Sequence, residues 1–150
     1  MGDRANVYIQ SNGEGVYLYT HWGGSELPEI ARVALAKNWR WHDPSYLARI
    51  VLDTMTEGTC DETGFGVWPS LGDNSYPIIV LDTDAQLVHF VAESEMDKPP
   101  IERAALKSFS FTHYIRLKRA AWPDDEPTCE LCGEPADEGG AICPACAESR

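Results

Sequence analysis

Apolar and polar residues alternate along Ala5-Asn6-Val7-Tyr8-Ile9-Gln10, the period of two that a strand needs to send its apolar side chains to one face. Ser11-Asn12-Gly13-Glu14-Gly15 has the composition of a turn, and Val16 to His21 alternates again, so this region predicts a hairpin. Gly23-Gly24 breaks it. From Glu26 to Asn38 the period lengthens: Leu27, Ile30, Ala31 and Ala34 recur at helical spacing, with Ser25 as cap and Pro28 in the first turn. Asp43-Pro44 opens a second helix that runs to Thr56 and carries Leu47, Ile50, Val51 and Thr54 on one stripe.

The stretch from Gly58 to Asn74 is rich in glycine and offers one short strand, Gly66 to Trp68. Tyr76 to Leu81 reads as a buried strand, with Pro77 near its start, where a missing donor is tolerable. Asp82-Thr83-Asp84-Ala85 turns the chain, and Gln86 to Val91 returns it as a second hairpin. Ser110 caps a last helix, Phe111 to Trp122, with Phe111, Tyr114, Ile115 and Trp122 inward. The order ββ-αα-(β)ββ-α predicts an α+β fold: an antiparallel sheet of two hairpins with helices on one face. No apolar stretch approaches the ~20 residues of a membrane span and no secretory signal is visible, so a cytoplasmic protein is expected.

Two prolines and three acids in Trp122-Pro123-Asp124-Asp125-Glu126-Pro127-Thr128 mark a linker. The reading is thus an α+β domain over 1–122, an acidic linker over 123–128 and a small unit over 129–150. That unit holds Cys129, Cys132, Cys143 and Cys146, two C-x-x-C pairs separated by ten residues. Each C-x-x-C turn aims two thiolates at one metal, and two such turns complete a tetrahedron around zinc. Disulfides are disfavoured without a secretory signal, and a redox C-x-x-C needs only one copy. Four thiolates fill every zinc position, so the expected Zn²⁺ is structural, in a minimal knuckle pair. With only Leu131 and Ile142 as branched apolar residues, the unit depends on that metal to fold.

Charge narrows the partners. The chain carries −12 formally, from 24 acids and 12 bases. A chain this acidic does not wrap a phosphate backbone by bulk charge, so strong nucleic-acid binding is not expected. The most basic region is 101–119, where Arg103, Lys107, Arg116, Lys118 and Arg119 face only Glu102. Helical spacing would put Arg116, Arg119 and Trp122 on adjoining positions, and the acidic tail would screen them.

Four other constellations bear on chemistry. His21-Trp22-Gly23-Gly24 lies where a strand meets a helix start, a common place for binding groups, and also a place where a Trp simply anchors a sheet edge. With Arg4, His21 and Trp22 form the candidate ligand-binding set, and Trp39 and Trp41 the candidate aromatic wall. Cys60 sits beside Asp61 and Glu62, which would raise its pKa, so no catalytic role is assigned to it. Asp82 and Asp84, with Asp73 nearby, read as a solvated turn, because the EF-hand glycine and glutamate are missing.

Met1-Gly2-Asp3-Arg4-Ala5-Asn6 and Gly15-Val16-Tyr17-Leu18-Tyr19-Thr20-His21-Trp22-Gly23-Gly24 resemble a set of small uncharacterised prokaryotic and phage proteins that begin M-G-x-R-A and carry a Y-L-x-H-W-x-G-G-like stretch. The spacing departs from some members: Tyr19-Thr20 lies between Leu18 and His21, and nothing separates Trp22 from Gly23. The resemblance implies a viral or mobile-element accessory protein, in the host cytoplasm if viral, and carries no mechanism. Two readings follow. One is a zinc-binding accessory protein that acts by macromolecular, chiefly protein, interaction and is not an enzyme. The other is a small-molecule or nucleotide-binding protein, or an enzyme, that uses Arg4, His21 and Trp22.

Overall fold

A computed structural model describes residues 2–57 and 64–123. The cysteine unit over 129–150, most of the linker and Cys60 lie outside the described residues. The first hairpin forms as the alternation requires, β1 (Ala5–Ser11) with β2 (Glu14–Thr20), in a register that sets Val7 opposite Leu18. It closes through Asn12 and Gly13, both at positive φ (53° and 78°), the backbone that a two-residue hairpin loop demands. After a 3-10 turn (Gly24–Glu26) come α1 (Leu27–Ala36) and α2 (Pro44–Thr56). Asp43 caps α2 by accepting from the amides of Ser45 and Tyr46, as its Asp-Pro signal predicts. Ser25 does not cap α1; its amide donates instead to the Asp3 carboxylate at 2.9 Å.

β3 (Phe65–Trp68) pairs with β2, while β4 (Ile78–Asp82) and β5 (Leu87–Val91) form the second hairpin. The sheet has six strands in the order β3-β2-β1-β4-β5-β6. It is mixed, which corrects the antiparallel expectation: β1 and β4 run parallel, Val7 opposite Ile79 and Ile9 opposite Leu81. Burial of β1 explains why it is paired on both edges. Six of its seven residues are buried, so both of its edges need backbone partners away from water. β2 takes one edge, and the chain returning from β3 across the sheet takes the other.

The last segment also differs from expectation. β6 (Ala105–Ser110) pairs with β5 through a register shift at Phe90/Val91, and α3 spans only Phe111–Arg116. Leu117 leaves the helix with ψ 141°, which lets Leu117, Ala120 and Trp122 all reach the core. A continued helix could not hold all three inward beside Tyr114.

The helices cover one face of the sheet, as expected, over Val7, Ile9, Leu18, Ile79, Leu81, Val88 and Phe90. Tyr114 is fully buried there and donates to the Pro28 carbonyl at 2.7 Å; burial pushes its phenol far above the ordinary value. The opposite face carries a smaller cluster of Tyr8, Tyr17, Ile78, Val80, Val91 and Met96, with Leu71 against it. Segments 69–77 and 92–104 supply Leu71 and Met96 to that face and leave hollows between them.

Candidate functional site

The end of the β1–β2 hairpin is knitted by backbone bonds that extend past the strands. The Asp3 amide donates to the His21 carbonyl at 2.7 Å, the His21 amide to Gly64 at 2.8 Å, and the Gly24 amide to Asp3 at 2.8 Å. The Asp3 carboxylate accepts from Tyr76 Oη at 2.5 Å and from Ser25. Burial opposes its ionisation, but these hydrogen bonds hold its pKa below the ordinary carboxylate value.

This frame brings Arg4, His21 and Trp22 together. His21 Nδ1 meets Tyr19 Oη at 2.9 Å, and its ring stands edge-on to Trp22 with centroids 4.6 Å apart. Gly2 fills the space beside His21 and Arg4: a Cβ there would lie 2.9 Å from His21 Nε2 and 3.0 Å from Arg4 Nε. Arg4 pairs with Asp73 at 3.6 Å, and its Nε is buried with no hydrogen-bond partner. The Trp22 ring rests on Gly64, where a Cβ would collide at 2.4 Å, so this close approach requires glycine.

Trp22 nevertheless remains 62 % exposed. The neighbouring hollow, about 290 Å³, is lined by Asn6, Tyr17, Tyr19, Trp68 and Leu71 among others, and not by Arg4, His21 or Trp22. Among the described residues the trio forms an exposed ledge beside that hollow. The expected aromatic wall does not stand beside it. Trp41 packs on Phe111 at 5.4 Å and donates to the Leu35 carbonyl at the far end of α1, while Trp39 lies near Lys37.

What sequence reading missed is the exposed edge beside the ledge. β3 is an outer strand, and its Val67 and Trp68 are 49 % and 69 % exposed. Val67 stands opposite Leu18 on the helix face and Trp68 opposite Tyr17 on the other, so with Trp22 at Gly64 large exposed apolar side chains lie on both faces of this sheet edge. The signal was present as the short strand Gly66 to Trp68, but nothing local marks it as an edge.

The basic run 101–119 does not form one helical face. Arg103 lies in the connection before β6, Lys107 on β6, and Arg116 ends α3. Asp82 and Asp84 are occupied as a turn predicts: Asp84 accepts from Ser11 Oγ at 2.8 Å and from the Asn12 amide at 2.6 Å, pinning one hairpin tip to the other. Among the described residues no group of three or more His, Cys, Asp or Glu side chains could hold a metal ion, and no helix is long and apolar enough to cross a membrane. In comparisons with known proteins, no family model, curated protein or solved structure matches this chain.

Proposed function

We propose that this chain is a zinc-binding accessory protein that works by docking a protein partner along β3. The carrying observation is the exposure of Val67 and Trp68 on β3, the outer strand among the described residues, with Trp22 exposed beyond the end of neighbouring β2. Tryptophan anchors dominate protein interfaces because one rigid ring removes much apolar area from water at little entropic cost. An outer strand offers backbone donors and acceptors to an extended segment, which supports strand addition as the docking mode. The partner chemistry that fits is an extended segment with apolar residues toward Trp68 and basic residues toward this acidic chain.

Zinc, held by Cys129, Cys132, Cys143 and Cys146, belongs to the same reading. Trp122, the residue before the linker, donates to Gly24, two residues after Trp22. The last described residues of the chain therefore lie close to Gly24, at the start of the first 3-10 turn. Net charge supports a protein rather than a nucleic acid as the partner, and a viral or mobile-element origin in a host cytoplasm is compatible with it. The alternative, a small-molecule pocket at Arg4, His21 and Trp22, has less support because Trp22 is exposed and the adjoining hollow is lined by other residues.

A photo-crosslinking residue at Val67 in the full-length chain tests this. In cells of the source organism it should capture one protein, and Trp22→Ala/Trp68→Ala should abolish that capture. The same probe at Asp53, on the exposed side of α2, should not capture it. Capture of nucleic acid, or of the same protein from both positions, would refute the reading.

A further inference from the structure

A second cavity lies on the face opposite the helices, across β1 from the Trp22 ledge, and measures about 340 Å³. Strand register builds it. Val80, His89 and Ser108 are successive cross-strand neighbours on β4, β5 and β6, and Gln10 opposes Asp82 two residues along. Val80 and Val91 provide an apolar floor, and the 3-10 turn Pro100–Glu102 forms the rim. An apolar floor with a few converging polar groups is the ordinary make-up of a small-molecule site.

Arg103 gives the cavity its character. Its guanidinium is fastened on three sides: Nε donates to the Lys98 carbonyl at 3.0 Å, Nη1 to Gln10 Oε1 at 3.1 Å and Nη2 to the Met96 carbonyl at 3.4 Å. All three acceptors are neutral. Among the described residues no carboxylate lies within ion-pair distance of Arg103, whereas Arg4, Arg32 and Lys98 pair with Asp73, Glu29 and Glu95. A guanidinium carries five N–H groups, so one on each Nη stays unshared after these bonds. In a chain of net charge −12, a fastened cation with unshared N–H groups and, among the described residues, no carboxylate partner has the chemistry to hold an anion.

The other polar groups narrow the anion. Ser108 Oγ and His89 Nδ1 lie 2.6 Å apart, which orients the hydroxyl at the cavity margin. Asp82 lines the cavity too, with Oδ1 tied to the amides of Asp84 and Ala85. Its negative charge repels a dianion such as phosphate about twice as strongly as a monoanion, which favours the singly charged ligand on Arg103.

We propose that this cavity binds a small organic monocarboxylate, its carboxylate on Arg103 and its hydrocarbon part against Val80 and Val91. The site is independent of the β3 docking reading and stands or falls separately.

The probe is benzoate, titrated into ¹⁵N-labelled full-length protein and followed by amide and arginine Nε–H resonances. Saturable shifts are expected at Arg103 Nε, Ser108 and Val91 by about 20 mM, where a fragment of millimolar affinity approaches saturation. Benzyl alcohol, the neutral analogue, should bind about tenfold more weakly or worse, since one charge-assisted contact is worth on the order of 1.4 kcal/mol or more. Arg103→Gln should weaken benzoate by a similar factor. Because that change also frees the 92–104 segment, Ala105→Glu serves as a second variant. It adds a carboxylate at the exposed margin, leaves Arg103 and its three acceptors unsubstituted, and should abolish binding. The proposal is overturned by the absence of saturable shifts, by benzyl alcohol or Arg103→Gln binding as well as the reference pair, by Ala105→Glu retaining full affinity, or by inorganic phosphate binding more tightly than benzoate.

Discussion

Trp122→Ala should cost this protein a large part of its stability, although Trp122 lies outside every helix and strand. The indole is 5 % exposed. It stacks on Tyr76 with centroids 4.8 Å apart and planes 8° from parallel, meets Phe90 edge-on at 5.8 Å, and donates Nε1–H to the Gly24 carbonyl at 2.9 Å. Emptying such a site removes the transfer free energy of the ring and leaves a cavity, together ~3–5 kcal/mol. Against a total of ~5–15 kcal/mol for a domain, that is a third or more of the margin in most cases. The midpoint of thermal unfolding should fall by ~12–20 °C for a body of this size. Trp122→Phe keeps the stacking and loses the buried donor, so it should cost only ~1–3 kcal/mol. The same contacts tie the last described residues to the core. Truncation after Pro123 should leave the body's stability within ~0.5 kcal/mol of the full chain, while truncation after Ala121 should match Trp122→Ala. Urea titration followed by far-UV circular dichroism measures all four, with an unchanged m-value as the check on two-state behaviour. A loss below ~1.5 kcal/mol for Trp122→Ala, or equal losses for the Phe and Ala variants, would refute the assigned packing.

Fresh full-length protein should carry one zinc per chain by metal analysis, and Cys129→Ser/Cys143→Ser should abolish it without unfolding the body; a zinc-free protein with four free thiols would remove the metal from the reading. Asn6 is fully buried and its amide bonds the Asp73 carbonyl at 3.0 Å and Asn74 Oδ1 at 3.3 Å, so Asn6→Ala should cost ~1–3 kcal/mol and raise hydrogen exchange across 72–75. Burial holds the His89 pKa below the ordinary imidazole value, with Asp82 partly opposing. The unfolded chain therefore takes up a proton at His89 before the folded chain does. Stability should fall as pH drops through ~6.5 and level off once the folded pKa is passed, and His89→Gln should flatten the change in urea midpoint between about pH 7.5 and 5.5.

Elements whose signals are local were legible in the chain. The Ala5–Gln10 alternation, the Asp43-Pro44 cap and Leu47, Ile50 and Val51 on α2 each act over a few residues and stand where the pattern puts them, while the Ser11–Gly15 turn narrows to Asn12-Gly13 and Met55 is buried in place of Thr54. The closeness of Arg4 to His21 and Trp22 was within reach for the same reason, because hairpin register sets Ala5 opposite Thr20 and so the trio at one end. Strand β6 was not legible. Only Phe109 among its six residues is buried, so its sequence carries almost no period, and its pairing with β5 supplies what the pattern lacks. The parallel joining of β1 to β4 was equally invisible, since Val7 and Ile79 are 72 positions apart and no local preference favours one edge of β1 over the other. Which tryptophans face water is the same kind of question. Trp22, Trp41 and Trp122 are alike in composition, yet Trp22 rests exposed on Gly64, Trp41 is half-covered by Phe111, and Trp122 is stacked on Tyr76. Short-range preference decides whether a segment becomes helix or strand. The order of strands, the exposed edge at β3 and the fastening of Arg103 to Gln10 are set by contacts between residues far apart in the chain, which only the assembled fold brings within reach.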